Sequence, residues 1–176
     1  CILYLLPKKP SSFNENNTPA YEAKSTRPIS VGICANRIIS ALIRSKLLPI
    51  VIKIVHEAQT GYIVNHKIAD NIYKMLDFYT DEHNDLDTNL ILIDFCAAYP
   101  SINQKYIWKV MGIQGFPKHF IRACQLLTEG VSHDLLHKGK YHKSASVSSG
   151  IKQGDGCAPL LFILALDPLI RQLHLN

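Results

Sequence analysis

The chain has 176 residues, of which 47% are apolar and 19% are charged, and its formal net charge is +5. This length is sufficient for a buried core, and the mild positive charge permits a polyanionic partner without requiring one. The five cysteines are scattered and never spaced as C-x-x-C, which argues against a disulfide framework and a structural zinc site and favours a reducing compartment.

The N-terminal half alternates apolar periodic segments with polar breaks. We expect a short strand at Ile2–Leu6, followed by a polar surface loop at Ser11–Ser25. Apolar residues at helical spacing predict a helix at Ile33–Leu48 that ends at Pro49, a second short helix at Pro49–His56, and a third helix with one apolar face at Ile68–Tyr79.

The C-terminal half begins with an aliphatic run that ends in an acid. Asn89–Asp94 has the pattern of a strand that is buried on both faces. The remaining elements expected are helices at Gln104–Met111 and Lys118–Leu127, a hairpin of Val131–Leu136 with Ser144–Val147, a glycine-punctuated loop at 150–156 and a last apolar helix at Pro159–Leu173. The fold class expected is α+β, with helices packed on a small, mainly antiparallel sheet.

Two segments contain residues suited to chemistry. Asp94 would close a buried strand, where a charged group is costly unless it is paired or binds a metal; capping of the next turn is an equally good interpretation. Residues 149–162 combine three glycines with a lysine and a glutamine directly before a helix. Such a loop lets backbone and side chain approach a ligand closely, although a glycine-rich loop by itself is usually only a turn.

Together the two segments resemble motifs A and B of reverse transcriptases of the non-LTR retrotransposon type. The residues that carry the resemblance are L-I-L-I-D-F-C-A-A-Y-P-S-I at 90–102 and S-G-I-K-Q-G-D-G-C-A-P-L-L-F at 149–162. Colinear matches at T-R-P-I-S (26–30), E-A-Q-T-G-Y (57–62), A-D-N-I (69–72) and G-F-P-K-H-F-I (115–121) extend it over nearly the whole chain. The resemblance implies a right-hand polymerase fold, with a fingers-like region at 1–88 and a partial palm at 89–176.

The resemblance also implies roles for single residues. Asp94 would be the catalytic carboxylate that binds two Mg²⁺ ions, with the backbone carbonyl of Phe95 as a further ligand. Tyr99 would be a steric gate against a 2′-hydroxyl, with a core aromatic as the rival interpretation. The remaining nucleotide-binding residues would be Arg27, which suits a triphosphate, and Gln153 with Gly154.

The partners implied are an RNA template, a DNA primer and deoxynucleoside triphosphates. Basic residues would contact template or phosphate, namely Lys8, Lys9, Lys152, Lys138, Lys140 and Lys143. Ordinary solvation is the more frequent role for exposed lysines such as Lys8 and Lys9, is an alternative for Lys152, and explains the three hairpin lysines about equally well. No membrane partner is expected, because the most apolar stretch, at 47–55, is too short to span a bilayer. We expect an intracellular protein without a signal peptide, and a nuclear location for the parent element.

The sequence departs from the family pattern at three places. Pro100 stands where the family commonly has a second aspartate, and Asn65-His66 replaces a Gly-Arg pair. The aromatic-x-Asp-Asp motif C and the thumb are expected after Asn176, in the rest of a retroelement polyprotein that can include an endonuclease. We therefore expect this fragment alone not to polymerise. The alternative is a non-catalytic remnant, or a nucleic-acid-binding module that retains the polymerase fold.

Overall fold

A computed structural model describes residues 1–8, 10–22, 25–64, 67–80, 90–137, 139–143 and 149–174. Lys9, Lys138 and the pair Asn65-His66 lie outside these ranges. The segment predicted as the second hairpin strand, Ser144–Val147, also lies outside them.

The main sheet has four strands in the order β4-β1-β5-β6. β1 (Ile2–Pro7) is antiparallel to β4 (Thr26–Val31) and parallel to β5 (Asp134–His137), which pairs antiparallel with β6 (Lys140–Lys143). Two of the three pairings are antiparallel, so the predicted small, mainly antiparallel sheet is confirmed. A separate two-stranded ribbon, β2 (Ser12–Phe13) with β3 (Pro19–Ala20), lies within the segment predicted to be only a polar loop.

One long helix, α1 (Cys34–Ile54), corrects the prediction of two helices separated at Pro49. A proline inside a helix removes one backbone hydrogen bond and usually kinks or ends it. Here Leu47 and Val51, on either side of Pro49, are both fully buried. Because these two side chains are anchored in the core on one helix face, packing compensates for the missing hydrogen bond and the helix continues.

Of the other five helices that the structure describes, four agree closely with expected segments, and the four-residue helix at Ala98–Ser101 was not predicted. The five are α2 (Ile68–Thr80), α3 (Ala98–Ser101), α4 (Gln104–Ile113), α5 (Lys118–Thr128) and α6 (Ala158–Leu173). α4 begins where the Asn103 side chain accepts the backbone N–H of Tyr106, which is an ordinary N-cap. α6 is the most buried helix, and its side chains form the core together with those of α1, α4 and α5. No helix in the described ranges is long and apolar enough to cross a membrane.

The buried strand predicted at Asn89–Asp94 is wrong for the residues described. Residues 90–94 adopt no regular secondary structure, and Ile91, Leu92 and Ile93 are 78%, 73% and 70% exposed. A strand needs a neighbour to satisfy its backbone groups, and this segment pairs with none of the described strands. The run of aliphatic residues indicates a segment that is stable when buried, but the described part of the chain leaves it exposed.

Asp167 joins the ends of two helices. Its side chain is 1% exposed, and its Oδ1 accepts the backbone N–H of His56 just beyond α1 at 2.6 Å. Its Oδ2 accepts Arg171 Nε at 2.7 Å, while Arg171 also donates to the carbonyl of Ile54. Both oxygens of this carboxylate are therefore engaged in holding α1 against α6.

Candidate functional site

The glycine-punctuated loop is hydrogen-bonded to the segment that follows Asp94. The N–H of Ile151 donates to the carbonyl of Tyr99 at 2.9 Å, and the N–H of Gly150 donates to that of Ile102 at 2.7 Å. Gly150 has φ +83°, and a Cβ there would lie 2.7 Å from the carbonyl oxygen of Pro100. The two motif-like segments, about fifty residues apart in sequence, are therefore in direct backbone contact, and only glycine permits the approach.

The same loop is also hydrogen-bonded to β4. The N–H of Ser30 donates to the carbonyl of Gln153 at 2.8 Å. Gly154 has φ +106°, and a Cβ there would lie 2.7 Å from the carbonyl oxygen of Ser30 and 3.4 Å from Cγ2 of Ile29. Arg27 is exposed on β4, two residues before Ile29 and therefore on the same face of the strand. The structure thus places Arg27, Gln153 and Gly154 on adjoining segments.

A third set of contacts joins the loop to α1. Asp155 Oδ1 accepts the Ser40 hydroxyl at 2.5 Å and the backbone N–H of Cys157 at 2.8 Å. Ser40 is buried, so this bond replaces water that both groups would otherwise bind. The loop consequently has fixed contacts with β4, with the segment before α4 and with α1.

Tyr99 is half-buried and packs against α6. Its ring stacks on Phe162 with centroids 5.0 Å apart and planes 16° from parallel. Burial, and after it the neighbouring Tyr62 hydroxyl, raises the pKa of Tyr99, so its hydroxyl stays protonated near neutral pH. The structure therefore places Tyr99 next to the loop that contains Gln153. It also packs the ring partly into the core, which is the alternative role considered for this residue.

Asp94 and Phe95 lie on the exposed segment before α3. Both are exposed, and no group of three or more metal-binding side chains is found among the residues that the structure describes. An Mg²⁺ ion prefers six oxygen ligands, and a two-ion site needs several carboxylates. Asp94 and the Phe95 carbonyl provide suitable hard oxygens, but the described residues do not complete such a site.

The basic residues singled out from the sequence fall into two environments. Lys152 turns inward and donates from Nζ to the carbonyl of Leu127, and burial lowers its pKa. Lys8, Lys140 and Lys143 are exposed, the last two on β6 at the edge of the sheet. Lys9 and Lys138 lie outside the described ranges. The turn between β5 and β6 contains Gly139 with φ +73°, so the predicted hairpin is present, although its second strand is Lys140–Lys143.

Sequence reasoning missed an open cleft between α1 and the 154–156 loop, which we call the α1 cleft. Its volume is about 460 Å³, and its lining includes Arg37, Arg44 and Tyr62. The sequence offered one signal of this surface: the two arginines are seven residues apart in a predicted helix, and this spacing places both on the same helix face.

Sequence reasoning also missed His133, which is buried in the interior next to β4. Its Nε2 lies 3.0 Å from the Ser30 hydroxyl. Burial, followed by the charge of Lys152, lowers the pKa of His133. No local pattern signals this contact, because Ser30 and His133 are far apart in the chain.

Comparison with known proteins identifies relatives of the chain. Residues 6–176 match the family model described as reverse transcriptase (RNA-dependent DNA polymerase). A retrovirus-related Pol polyprotein from a type-2 retrotransposable element of Drosophila melanogaster is 26% identical over 162 residues, which are 92% of this chain and 15% of the relative. The chain thus spans about 15% of the length of that curated relative. The resemblance carried by its motifs is confirmed: the chain belongs to the reverse transcriptase (RNA-dependent DNA polymerase) family, as a partial domain of the non-LTR retrotransposon type.

Proposed function

We propose that the chain is the nucleotide-facing part of an enzyme that copies retrotransposon RNA into DNA. The observation that carries the proposal is the junction of the 150–156 loop with both β4 and the Tyr99 segment, at hydrogen bonds of 2.8 and 2.9 Å. Family membership supplies the reaction class, and this junction brings together residues from three separated motifs. In the proposed right-hand arrangement, residues 1–88 are fingers-like and residues 89–176 form part of the palm.

Each residue at the junction has a proposed task. Arg27 binds the triphosphate, since a guanidinium offers a rigid pair of donors to phosphate oxygens and stays charged at any working pH. The backbone at Gln153 and Gly154 forms the surface against which the nucleotide lies. Tyr99 limits the room beside the sugar, and its stacking on Phe162 holds the ring in a fixed orientation.

Magnesium is the proposed cofactor, with Asp94 and the Phe95 carbonyl as contributors to its ligand set. When bound, the metal would supply charge stabilisation during nucleotide addition. Because the described residues provide so few of the required oxygens, we expect the 176-residue chain by itself not to extend a primer. Motif C, the thumb and any endonuclease are proposed for the longer polyprotein, whose partners are an RNA template, a DNA primer and deoxynucleoside triphosphates.

The test is primer extension by the element-encoded protein that contains this chain. Asp94→Asn should abolish extension, because the amide cannot replace a negatively charged metal ligand, while the unfolding temperature of the protein stays unchanged. Asp77→Asn, an exposed acid in α2 outside the matched motifs, is the control and should extend normally. Normal extension by Asp94→Asn would refute the site assignment.

The second candidate is a non-catalytic remnant or nucleic-acid-binding module that retains the fold. Pro100, in place of the family's usual aspartate, is the observation that favours it. Under this alternative the unaltered protein binds nucleic acid but fails to extend any primer, whereas the enzyme proposal requires extension that depends on Asp94.

A further inference from the structure

A cavity lies directly behind the nucleotide-facing loop. Its volume is about 210 Å³, and its walls include the 149–153 part of the loop, Leu3 on β1 and Pro28 on β4. Protein interiors are normally close-packed, so a loop that borders a cavity is not held in place by packing on that side. The position of the loop against β4 therefore depends on a small number of direct contacts.

Ser30 is the residue of β4 that makes these contacts. Its N–H donates to the carbonyl of Gln153 at 2.8 Å. Its carbonyl oxygen would lie 2.7 Å from a Cβ at position 154, an approach that requires glycine there. The backbone of Ser30 thus touches both residues of the loop that are proposed to face the nucleotide. A displacement of Ser30 would move this surface or open a gap beneath it.

The Ser30 side chain is held by His133. Nε2 of the imidazole lies 3.0 Å from the Ser30 hydroxyl, and His133 is 5% exposed. Burial, followed by the charge of Lys152, lowers the pKa of His133, so the ring is neutral near neutral pH. A neutral imidazole has one N–H and one lone pair, and a hydroxyl can both donate and accept. Either tautomer of the ring therefore satisfies the bond to Ser30.

The same ring has an unpaired second nitrogen. Nδ1 of His133 is buried, and within the described ranges it has no hydrogen-bond partner. Buried polar atoms without a partner are uncommon in folded proteins and lower their stability. A buried imidazole with one nitrogen unpaired is thus a poor choice for stability alone, and the bond that it does make positions Ser30.

The backbone next to His133 fixes the ring in turn. The N–H of Asp134 donates to the carbonyl of Cys1 at 2.9 Å, and Asp134 is opposite Ile2 in the parallel pairing of β5 with β1. β4 and β5 are not neighbours in the sheet, whose order is β4-β1-β5-β6. The His133–Ser30 bond therefore links the start of β5 to β4, two strands that the sheet itself does not pair.

We propose that His133 is a positioning residue for nucleotide binding: it fixes Ser30, and through Ser30 the Gln153–Gly154 surface against which the nucleotide lies. The proposal rests on the proposed function, since the nucleotide-facing role of the loop belongs to that function. His133 acts through Ser30 and not by contact with the nucleotide. Its loss should therefore weaken nucleotide binding and leave the chemical step intact.

The experiment is steady-state primer extension by the element-encoded protein that contains this chain, with His133→Asn and His133→Gln as a matched pair. Both variants bury an amide. The glutamine amide nitrogen reaches the place of Nε2 and keeps a bond to Ser30, whereas the shorter asparagine amide reaches only the place of Nδ1. His133→Asn should raise the KM for the deoxynucleoside triphosphate about fivefold, as expected for one lost hydrogen bond, with kcat and the KM for primer–template unchanged. His133→Gln should stay within about twofold of the unaltered protein in all three constants.

A double-mutant cycle tests whether His133 acts through Ser30. Ser30→Ala should raise the nucleotide KM about fivefold, and adding His133→Asn should give no further increase, because both changes remove the same bond. Val110→Ala is the stability control, since Val110 is buried in α4 and does not line the cavity. It should lower the unfolding temperature and leave the nucleotide KM unchanged.

Four results would overturn the proposal. They are equal nucleotide KM values for the asparagine and glutamine variants, multiplied increases in the double variant, a rise with Val110→Ala as large as that with His133→Asn, and a fall in kcat without a rise in KM. If His133→Asn does not fold, Ser30→Ala decides, and a nucleotide KM within about twofold of the unaltered value rejects the proposal.

A failure of the proposed function would be visible separately. Primer extension that depends on Asp94, with an unaltered nucleotide KM in His133→Asn, rejects only the positioning role. A protein that extends no primer rejects the enzyme, and hydrogen exchange then tests the link from His133 to the loop. The Ser30 N–H should exchange about fivefold faster in His133→Asn than in His133→Gln. Equal exchange in the two variants would reject the link as well.

Discussion

Replacement of Gly154 by alanine should strongly destabilise the folded chain. The new Cβ would lie 2.7 Å from the carbonyl oxygen of Ser30, at a φ of +106° that side chains rarely adopt. The backbone strain costs about 1–3 kcal/mol, and displacement of the loop breaks the Ser30–Gln153 hydrogen bond, which contributes about 0.5–1.5 kcal/mol. We therefore expect the free energy of unfolding to fall by about 2–4 kcal/mol.

The assay is urea denaturation followed by circular dichroism, with two further glycine-to-alanine variants as controls. Gly115 also has a positive φ, +85°, but a Cβ there meets nothing within 4 Å, so its loss should be about 1–2 kcal/mol from backbone strain alone. Gly112 lies inside α4 with open space around it, and alanine there should stabilise the chain by about 0.5–1 kcal/mol.

The ranking of the three variants by their change in free energy of unfolding tests whether contact with β4 requires glycine at position 154. If Gly154→Ala costs no more than Gly115→Ala, close contact with β4 does not determine the residue at this position, and the loop would be held less tightly against β4 than the 2.7 Å approach requires. A Gly154→Ala protein of normal stability would refute the reasoning altogether.

Three further predictions concern the stability of the folded chain. Asp167→Ala should lower the free energy of unfolding by about 3 kcal/mol in urea titrations, because it leaves the part-buried His56 N–H without an acceptor and removes the carboxylate partner of Arg171. Burial raises the pKa of the Cys124 thiol from 9.0 to about 12, so the folded chain holds this proton more tightly than the unfolded chain. The contribution of the protonated thiol to the free energy of unfolding is therefore complete below pH 9 and is lost as the pH rises towards 12. Cys124→Ala should therefore reduce the decline in stability that urea titrations detect above pH 9. Pro49→Ala should raise the thermal unfolding midpoint, with a gain of about 1–3 kcal/mol, since it restores a backbone donor inside a helix that is already continuous; an unchanged midpoint would mean that the proline causes no strain.

Local patterns predicted the elements whose formation depends on local periodicity. β1, the helices from α4 to α6, and the hairpin turn at Gly139 lie where apolar spacing and turn residues indicate. Continuity of α1 through Pro49 was not predictable in this way, because it depends on the burial of Leu47 and Val51 by other helices. The prediction at 89–94 failed for a related reason: an aliphatic run indicates a need for burial but not the presence of neighbours.

The candidate site was predictable as a set of residues and not as an arrangement. Residue types around Asp94, Tyr99 and Gln153 carried the family resemblance, yet nothing local indicates that Gly154 approaches Ser30 or that Asp155 binds Ser40. These contacts join segments more than a hundred residues apart, and each depends on the final packing. The roles of the site residues stay predictions until nucleotide and metal binding are measured.

The parallel pairing of β1 with β5 has a consequence for synthesis of the chain. Ile2 is opposite Asp134, whereas its antiparallel partner on β4 is Val31. A ribosome that adds about 5–20 residues per second must therefore make the chain for roughly 5–21 s between completion of β4 at Val31 and the arrival of β5 at Asp134. During that interval the β1–β4 ribbon has an open edge, and such edges readily pair with other chains. Co-translational folding of this protein is expected to depend on protection of that edge, by a chaperone for example, until β5 emerges.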